Sequence, residues 1–156
     1  MLVIVAIFRF IMIQINYPDT APLLRKEEGK EQIFCRPRKK WVALTPEEWV
    51  RQNFINYLET VLGYPLSLMA VEKQLQYGEM TRRFDLVLFN RSGDAHMIIE
   101  CKEMNVTLTE DVLSQALQYN IVVQAPILVI TNGVHCLAVK FSGTSYELLT
   151  AIPSFA

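Results

Sequence analysis

Two apolar runs, FDLVLF at 84–89 and AHMIIEC at 95–101, are separated by five turn-forming residues, Asn90 to Asp94. Runs of this length around a polar, glycine-containing cluster read as two strands of one hairpin. The second run ends oddly. Ile98 and Ile99 belong in a core, yet Glu100 and Lys102 follow at once. Alternation puts Glu100 and Lys102 on the face of Ile98 and His96, and Asp85 on the face of Val87 and Phe89. A loop centred between Ser92 and Gly93 pairs Asn90 with Ala95, Val87 with Ile98 and Asp85 with Glu100. Residues paired in this way hold their Cβ atoms about 5 Å apart. Two carboxylates at that distance repel unless a cation lies between them. Asp85→Ala is therefore expected to raise stability when no metal is present.

The neighbouring segments frame this hairpin. Leu23 to Cys35 reads as a small hairpin turning at Glu28-Gly29-Lys30, and Arg36, Pro37, Arg38, Lys39 and Lys40 follow as a basic connector. A long helix begins at Thr45, with Pro46 in its first turn and Glu48 completing a capping box. Trp49, Val50, Phe54, Tyr57, Leu58 and Val61–Leu62 recur at helical spacing, and Gly63 stops it. Leu66 to Val71 is strand-like. A second helix spans roughly Glu110 to Val123, with Thr107 and Glu110 at capping-box spacing and Pro126 beyond its end. Ile127 to Thr131 is a fully apolar strand, and Asn132-Gly133 turns the chain into His135 to Phe141. The order is helix, three strands, helix, two strands: an α/β domain with helices on a mixed sheet.

The chain is 156 residues long, 51% apolar, with a net charge of −1. That suits one folded domain and excludes a disordered or uniformly basic protein, though not a local basic patch. Cys35, Cys101 and Cys136 are odd in number and form no C-x-x-C, so a zinc site or disulfide framework is not expected; a reducing cytoplasm is. The opening MLVIVAIFRFIMI is interrupted by Arg9, lacks a small-residue cleavage site and falls short of the ~20 residues that span a bilayer. It reads as an N-terminal strand, or as residues upstream of a start at Met12, with no membrane partner.

Three explanations of the charged strand end compete. Asp85 and Glu100 can be solvated, with Arg83 and Lys102 as surface partners. They can hold a divalent metal such as Mg²⁺, which takes one or two carboxylates and keeps several waters. Or Lys102 can add chemistry, orienting a metal-bound water and offsetting phosphate charge. Other residues have plain readings beside functional ones. Glu48 is explained as a cap. Gln115 and Tyr119 are i, i+4 neighbours, and an aromatic on an amphipathic helix usually belongs to the core. His96 and His135 are isolated. Arg36, Arg38, Lys39 and Lys40 form a solvated linker or, with Arg82 and Arg83, an edge that tracks phosphates.

Asp85, fourteen intervening residues and Glu100-Cys101-Lys102 resemble the D…E-x-K signature of the PD-(D/E)XK, or restriction-endonuclease-like, nucleases. Gln115 and Tyr119 resemble the Q-x-x-x-Y element of that superfamily. The stretch from Thr45 to about Phe141, TPEEWVRQ…AVEK…RRFDLVLF…IIECK…QALQYN…ITNG, closely resembles the N-terminal nuclease domain of type I restriction enzyme R subunits, in its short, free-standing version. The resemblance implies a restriction-endonuclease-like core in αβββαβ order at 45–156, preceded by an N-terminal strand and hairpin extension at 1–44. It implies Asp85, Glu100 and the backbone carbonyl of Cys101 as ligands of Mg²⁺ (or Mn²⁺), Lys102 as the catalytic lysine, and Glu48, Gln115 and Tyr119 in support. It also implies DNA as the substrate, hydrolysed at its phosphodiester bonds. Phe84 stands where some members have proline. No G-x-x-x-x-G-K-[ST] loop occurs in these residues. The domain is thus expected to act alone, to serve a protein partner that supplies specificity or translocation, or to keep the fold as a non-catalytic binding module.

Overall fold

The computed structural model describes residues 11–120 and 125–156, and of Tyr77, Tyr119 and Asn120 the backbone only. The apolar run at 1–10 and residues 121–123 of the expected second helix lie outside the described residues. Strands β1 (Ile13–Gln14), β2 (Leu24–Glu27), β3 (Lys30–Cys35) and β4 (Lys40–Ala43) precede helix α1 (Pro46–Thr60). A 3₁₀ turn at Leu66–Leu68 leads into β5 (Met69–Tyr77), β6 (Met80–Phe89) and β7 (Ala95–Cys101). Helix α2 (Glu110–Asn120), β8 (Ile127–Thr131), β9 (His135–Ser142) and β10 (Ser145–Leu148) complete the order. Among the described residues, no helix is long and apolar enough to cross a membrane.

The main sheet runs β1-β9-β8-β7-β6-β5, with β10 on β9. It is mixed. β7 and β8 are parallel, joined across α2, and the other pairs are antiparallel. Met97–Ile99 of β7 and the whole of β8 are buried because both faces are covered, as their apolar residues require. On one face Val50, Phe54, Ile55 and Leu58 of α1 pack on Leu86, Leu88, Ile99 and Val129. On the other, Leu113 and Ala116 of α2 pack on Phe84, Val87, Ile98 and Leu128.

α1 starts as its sequence dictates. The Thr45 side chain accepts from the Glu48 N–H at 3.0 Å, and Pro46 occupies the first turn. The return half of the expected capping box is absent, because the Glu48 carboxylate is drawn to Arg51 and Gln52 instead. Val61 is the C-cap and is exposed, outside the apolar stripe, and Gly63 takes φ +77° beyond it. The cap of α2 is Thr109, not Thr107. Its hydroxyl accepts from Val112 N–H at 3.3 Å. Only Thr107 has a glutamate at capping-box spacing; Thr109 caps because it directly precedes Glu110, where the helix starts, and lies three residues before an amide left free by the first turn.

Two further expectations shift. Leu66–Leu68 is a 3₁₀ turn, so the strand begins at Met69 and runs on to Tyr77. The β6–β7 ladder slips next to the turn: Phe89, not Asn90, lies opposite Ala95. Asn90 is occupied otherwise, its side chain accepting from the Ser92 and Asp94 amides. The three-stranded sheet β2-β3-β4 is separate and lies against α1, with Ile33 and Cys35 fully buried.

Candidate active site at the fork of two strands

The bulge near the turn does not disturb the far end of the hairpin. Leu86 faces Ile99 and Val87 faces Ile98, and one more step in that register brings Asp85 across from Glu100. There the ladder stops. The Cys101 N–H donates to the carboxylate of Asp85, at 2.8 Å from Oδ2, so a side chain bridges the two strands as they part. Strict alternation fails at the same point. Phe84 packs with the α2-side core and Leu86 with the α1-side core, although they are two residues apart. Asp85 is thus turned towards α1 rather than kept strictly on the Val87 face.

α1 answers with charge. Arg51 is 3% exposed. Its Nη2 donates to Asp85 Oδ1 and to Glu47 Oε1, both at 3.1 Å, and its Nη1 donates to Glu48 Oε2 at 2.5 Å. Burial opposes the charge on this guanidinium, but Glu48 and Asp85 more than offset it and hold its pKa above the ordinary arginine value. Arg51 Nε is buried without a partner among the described residues.

Glu72 stands opposite Asp85 on the other side. Val71 pairs with Leu86 and Lys73 with Phe84, but Glu72 itself leaves the ladder with φ +52°. A left-handed conformation costs an L-residue roughly 1–2 kcal/mol. It is held by ion pairs to Arg38 Nη1 at 2.8 Å and Arg83 Nη2 at 2.9 Å, with Arg51 at 3.8 Å. Burial alone would raise the Glu72 pKa; Arg51, Arg83 and Arg38 overcome it and hold the carboxyl below its usual range.

Glu100 has the opposite balance. Burial pushes its pKa up, Lys102 pulls it down, and the Asp85 charge raises it again, for a net rise. Glu47 is raised likewise, first by burial and then by Asp85, against the pull of Arg51 and Lys102. Asp85, Glu100, Glu47 and Lys102 therefore share one electrostatic neighbourhood. The Lys102 N–H donates to the Thr131 carbonyl at 2.7 Å, and Asn132 Nδ2 donates to the Val106 carbonyl at 2.9 Å, so both ends of the loop after β7 are tied to the end of β8. The Asn132-Gly133 turn lies close to α1: a Cβ on Gly133, at φ +87°, would meet Val50 at 3.1 Å.

A cleft of about 670 Å³ opens between β4, the start of α1 and this loop. Lys102, Glu47, Glu48, Arg51, Glu72 and Arg38 are among its walls, whereas Asp85 and Glu100 are not. Arg51 stands between Asp85 and the cleft charges.

The donor chemistry fits a hard divalent cation. Two carboxylates and the Cys101 carbonyl would offer oxygen donors, and Glu100 is a carboxylate that burial and Asp85 hold above its usual pKa. Among the described residues no three His, Cys, Asp or Glu side chains are grouped as a metal site. Magnesium does not require three, since it binds through one or two carboxylates and retains waters.

The other residues singled out from sequence are dispersed. Glu48 joins the Arg51 cluster, at 3.6 Å from Arg38. Gln115 is exposed on α2, and the Tyr119 side chain lies outside the described residues. Arg36 pairs with Glu59, eleven residues along α1 from Glu48, or roughly 16 Å at 1.5 Å per residue. Lys39 and Lys40 are exposed at the β3–β4 turn, and Arg83 is exposed beside Glu72. Arg82 is half-buried and acts on Glu100. Sequence reasoning missed Glu47, Arg51 and Glu72. The i, i+3 and i, i+4 spacing of Glu48, Glu47 and Arg51 was visible but reads as a surface ion pair. Nothing local signals the φ of Glu72.

A protein-family model described as "Type I restriction enzyme R protein N terminus" matches residues 46–153. No curated protein matches the chain. Among solved structures, the fold is similar to a fragment assigned as an HsdR subunit of a type I restriction enzyme from Vibrio vulnificus YJ016, with a TM-score of 0.52 and 18% identity. That match covers 71% of this chain and 24% of the other.

Proposed function

Because the chain belongs to the family of type I restriction enzyme R protein N-termini, we propose that it is a nuclease domain hydrolysing phosphodiester bonds in DNA with Mg²⁺ or Mn²⁺. The observation that carries this reading is the meeting of Asp85, Glu100 and Lys102 at the fork, beside an open cleft. Asp85, Glu100 and the Cys101 carbonyl would hold the cation, which when bound supplies Lewis-acid polarisation of the phosphate and a more acidic water.

The chain's own residues do the rest. Arg51 and the Cys101 amide each bind one Asp85 oxygen, so that carboxylate is oriented in advance. Lys102 lines the cleft, and its charge acts on Glu100. There it orients the attacking water and offsets negative charge as the phosphorane-like transition state forms. Glu47, its pKa raised by burial and by Asp85, lines the same cleft as Lys102 and is a further carboxyl able to take up a proton. Sequence is not read at this fork, which carries charge for a phosphate. A protein partner would supply specificity or translocation. Three free, buried cysteines support a cytoplasmic setting.

The Arg51–Asp85 ion pair favours a second reading, a binding module that keeps the fold, because it already neutralises one of the two acids. Incubation of the purified protein with linear, circular and branched DNA, with Mg²⁺, with Mn²⁺ and with EDTA, separates them. Cleavage that requires the metal supports the nuclease; binding without cleavage in every condition supports the module.

A further inference from the structure

The β6–β7 ladder ends at Leu86↔Ile99, but β5 and β6 stay paired five steps further, from Lys73↔Phe84 to Tyr77↔Met80. Beyond the fork, residues 73–84 therefore form a two-stranded ribbon that no third described strand joins. Partners directly opposite share a face. One face carries Phe84 and Leu75, which pack into the α2-side core. The other face carries Gln74 opposite Arg83 and Gln76 opposite Thr81, and all four are exposed. None of the four is acidic or apolar, and Glu72 adjoins them through Arg83.

Gln, Thr and Arg are the side chains that hydrogen-bond base edges: glutamine to adenine, arginine to guanine, threonine to either. A solvated strand face more commonly mixes both signs of charge. The ribbon at 73–83 carries Lys73, Arg82 and Arg83 against the single acid Glu79, although the whole chain is slightly acidic; of the three cations only Arg83 lies on this face, because Lys73 pairs with Phe84 and Arg82 with Leu75. Some of these groups are already placed. Gln76 Nε2 donates to the Gly78 carbonyl at 3.3 Å, and the Arg83 guanidinium meets Glu72 at 2.9 Å while remaining 59% exposed.

We propose that this ribbon enters the major groove of double-stranded B-form DNA, with Gln74, Gln76, Thr81 and Arg83 towards the base edges. The proposal rests on the nuclease reading of the fork and adds the surface that holds the substrate. Dimensions favour it. Paired strands lie about 4.8 Å apart and rise about 3.4 Å per residue. A groove about 12 Å wide and 8.5 Å deep admits such a ribbon, whereas the narrow major groove of duplex RNA does not. From the Gln76–Thr81 pair, near the tip, to Asp85 is four residues, or roughly 14 Å. With this face on the base edges the ribbon lies along the groove, and the fork follows further along it, beside the phosphates of the groove's rim.

The test uses the full chain and the surface double variant Gln76→Ala/Thr81→Ala, which leaves the fork untouched. Fluorescence anisotropy in EDTA measures affinity for a 30-base-pair DNA, a single strand of the same sequence and the matching RNA duplex. The expected result is at least tenfold weaker binding to duplex DNA, less than twofold change for the single strand, weaker wild-type binding to duplex RNA, and an unchanged melting temperature. Equal affinity of variant and wild type for duplex DNA overturns the proposal, as does an equal loss for duplex and single strand. Neither outcome touches the fork, which Lys102→Ala addresses separately. Wild-type protein that binds duplex DNA through these residues without cutting it keeps the ribbon and removes the nuclease.

Discussion

At the scale of single residues, Asp85 reverses an expectation. Carboxylate repulsion alone predicts that Asp85→Ala stabilises the metal-free protein. In the fold, Asp85 accepts from Arg51 and from the Cys101 amide, and both are buried. Removing it leaves the Cys101 amide unpaired, at about 1–3 kcal/mol for a buried group without a partner, and takes one of three carboxylates from Arg51, which keeps Glu47 and Glu48. Asp85→Ala is therefore expected to lower the urea midpoint in EDTA; an unchanged or raised midpoint would show that repulsion dominates. Glu72 gives a pH signature. Its folded pKa lies below the unfolded value, so the unfolded chain binds more protons in that window and stability rises with pH. The contribution is present above the ordinary glutamate pKa and is lost as pH falls through the lowered one. Chemical denaturation should find Glu72→Gln less stable than wild type at pH 7, with the gap closing towards pH 3. A gap of the same size at both pH values would assign the loss to backbone strain or packing instead. Asp85 and Glu100 were legible in the sequence because the hairpin register is set by a period of two. Arg51 was not, because burial of a helical arginine depends on what the helix meets, and only the folded sheet brings Asp85 there.

At the scale of elements, apolar pattern decided what could be read. β7 and β8 have the bounds their apolar runs announce, Ala95–Cys101 and Ile127–Thr131. β4, KWVA, carries no alternation to reveal it, and β10, SYEL, alternates over only four residues, so the pairing of both comes from neighbours already in place. β1 is two residues long and exists through its contact with β9, where Ile13 faces Cys136 and Gln14 faces His135. That contact makes the N-terminal expectation testable. A chain beginning at Met12 retains β1, the buried Ile15 and the Tyr17 hydroxyl bond to the Gly133 carbonyl at 2.6 Å. It should melt cooperatively near the full-length value. A chain beginning at Pro18 loses all three and should melt several degrees lower in calorimetry, since about 1 kcal/mol shifts the midpoint of a domain this size by ~2–8 °C. Equal melting of the two shortened chains would show that β1 contributes nothing.

At the scale of the whole molecule, two cores on opposite faces of one mixed sheet hold the β6–β7 fork open at its edge. α1 closes one side of that opening with Arg51, the β5–β6 ribbon extends past another, and the tethered loop at Lys102 forms a third. The central claim is that this opening is a centre for phosphodiester hydrolysis in which Lys102 acts as the transition state forms. A group of that kind contributes on the order of 10²–10³ in rate, whereas an ion pair near the surface contributes ~0–1 kcal/mol to stability. The most direct measurement is the single-turnover rate of DNA cleavage in Mn²⁺ by wild type and by Lys102→Ala, prepared side by side and matched for melting temperature and DNA affinity. The expected result is a metal-dependent wild-type rate that falls at least a hundredfold in Lys102→Ala, with fold and binding retained. Cleavage undiminished in Lys102→Ala, or a folded wild type that binds DNA and never cuts it, would contradict it.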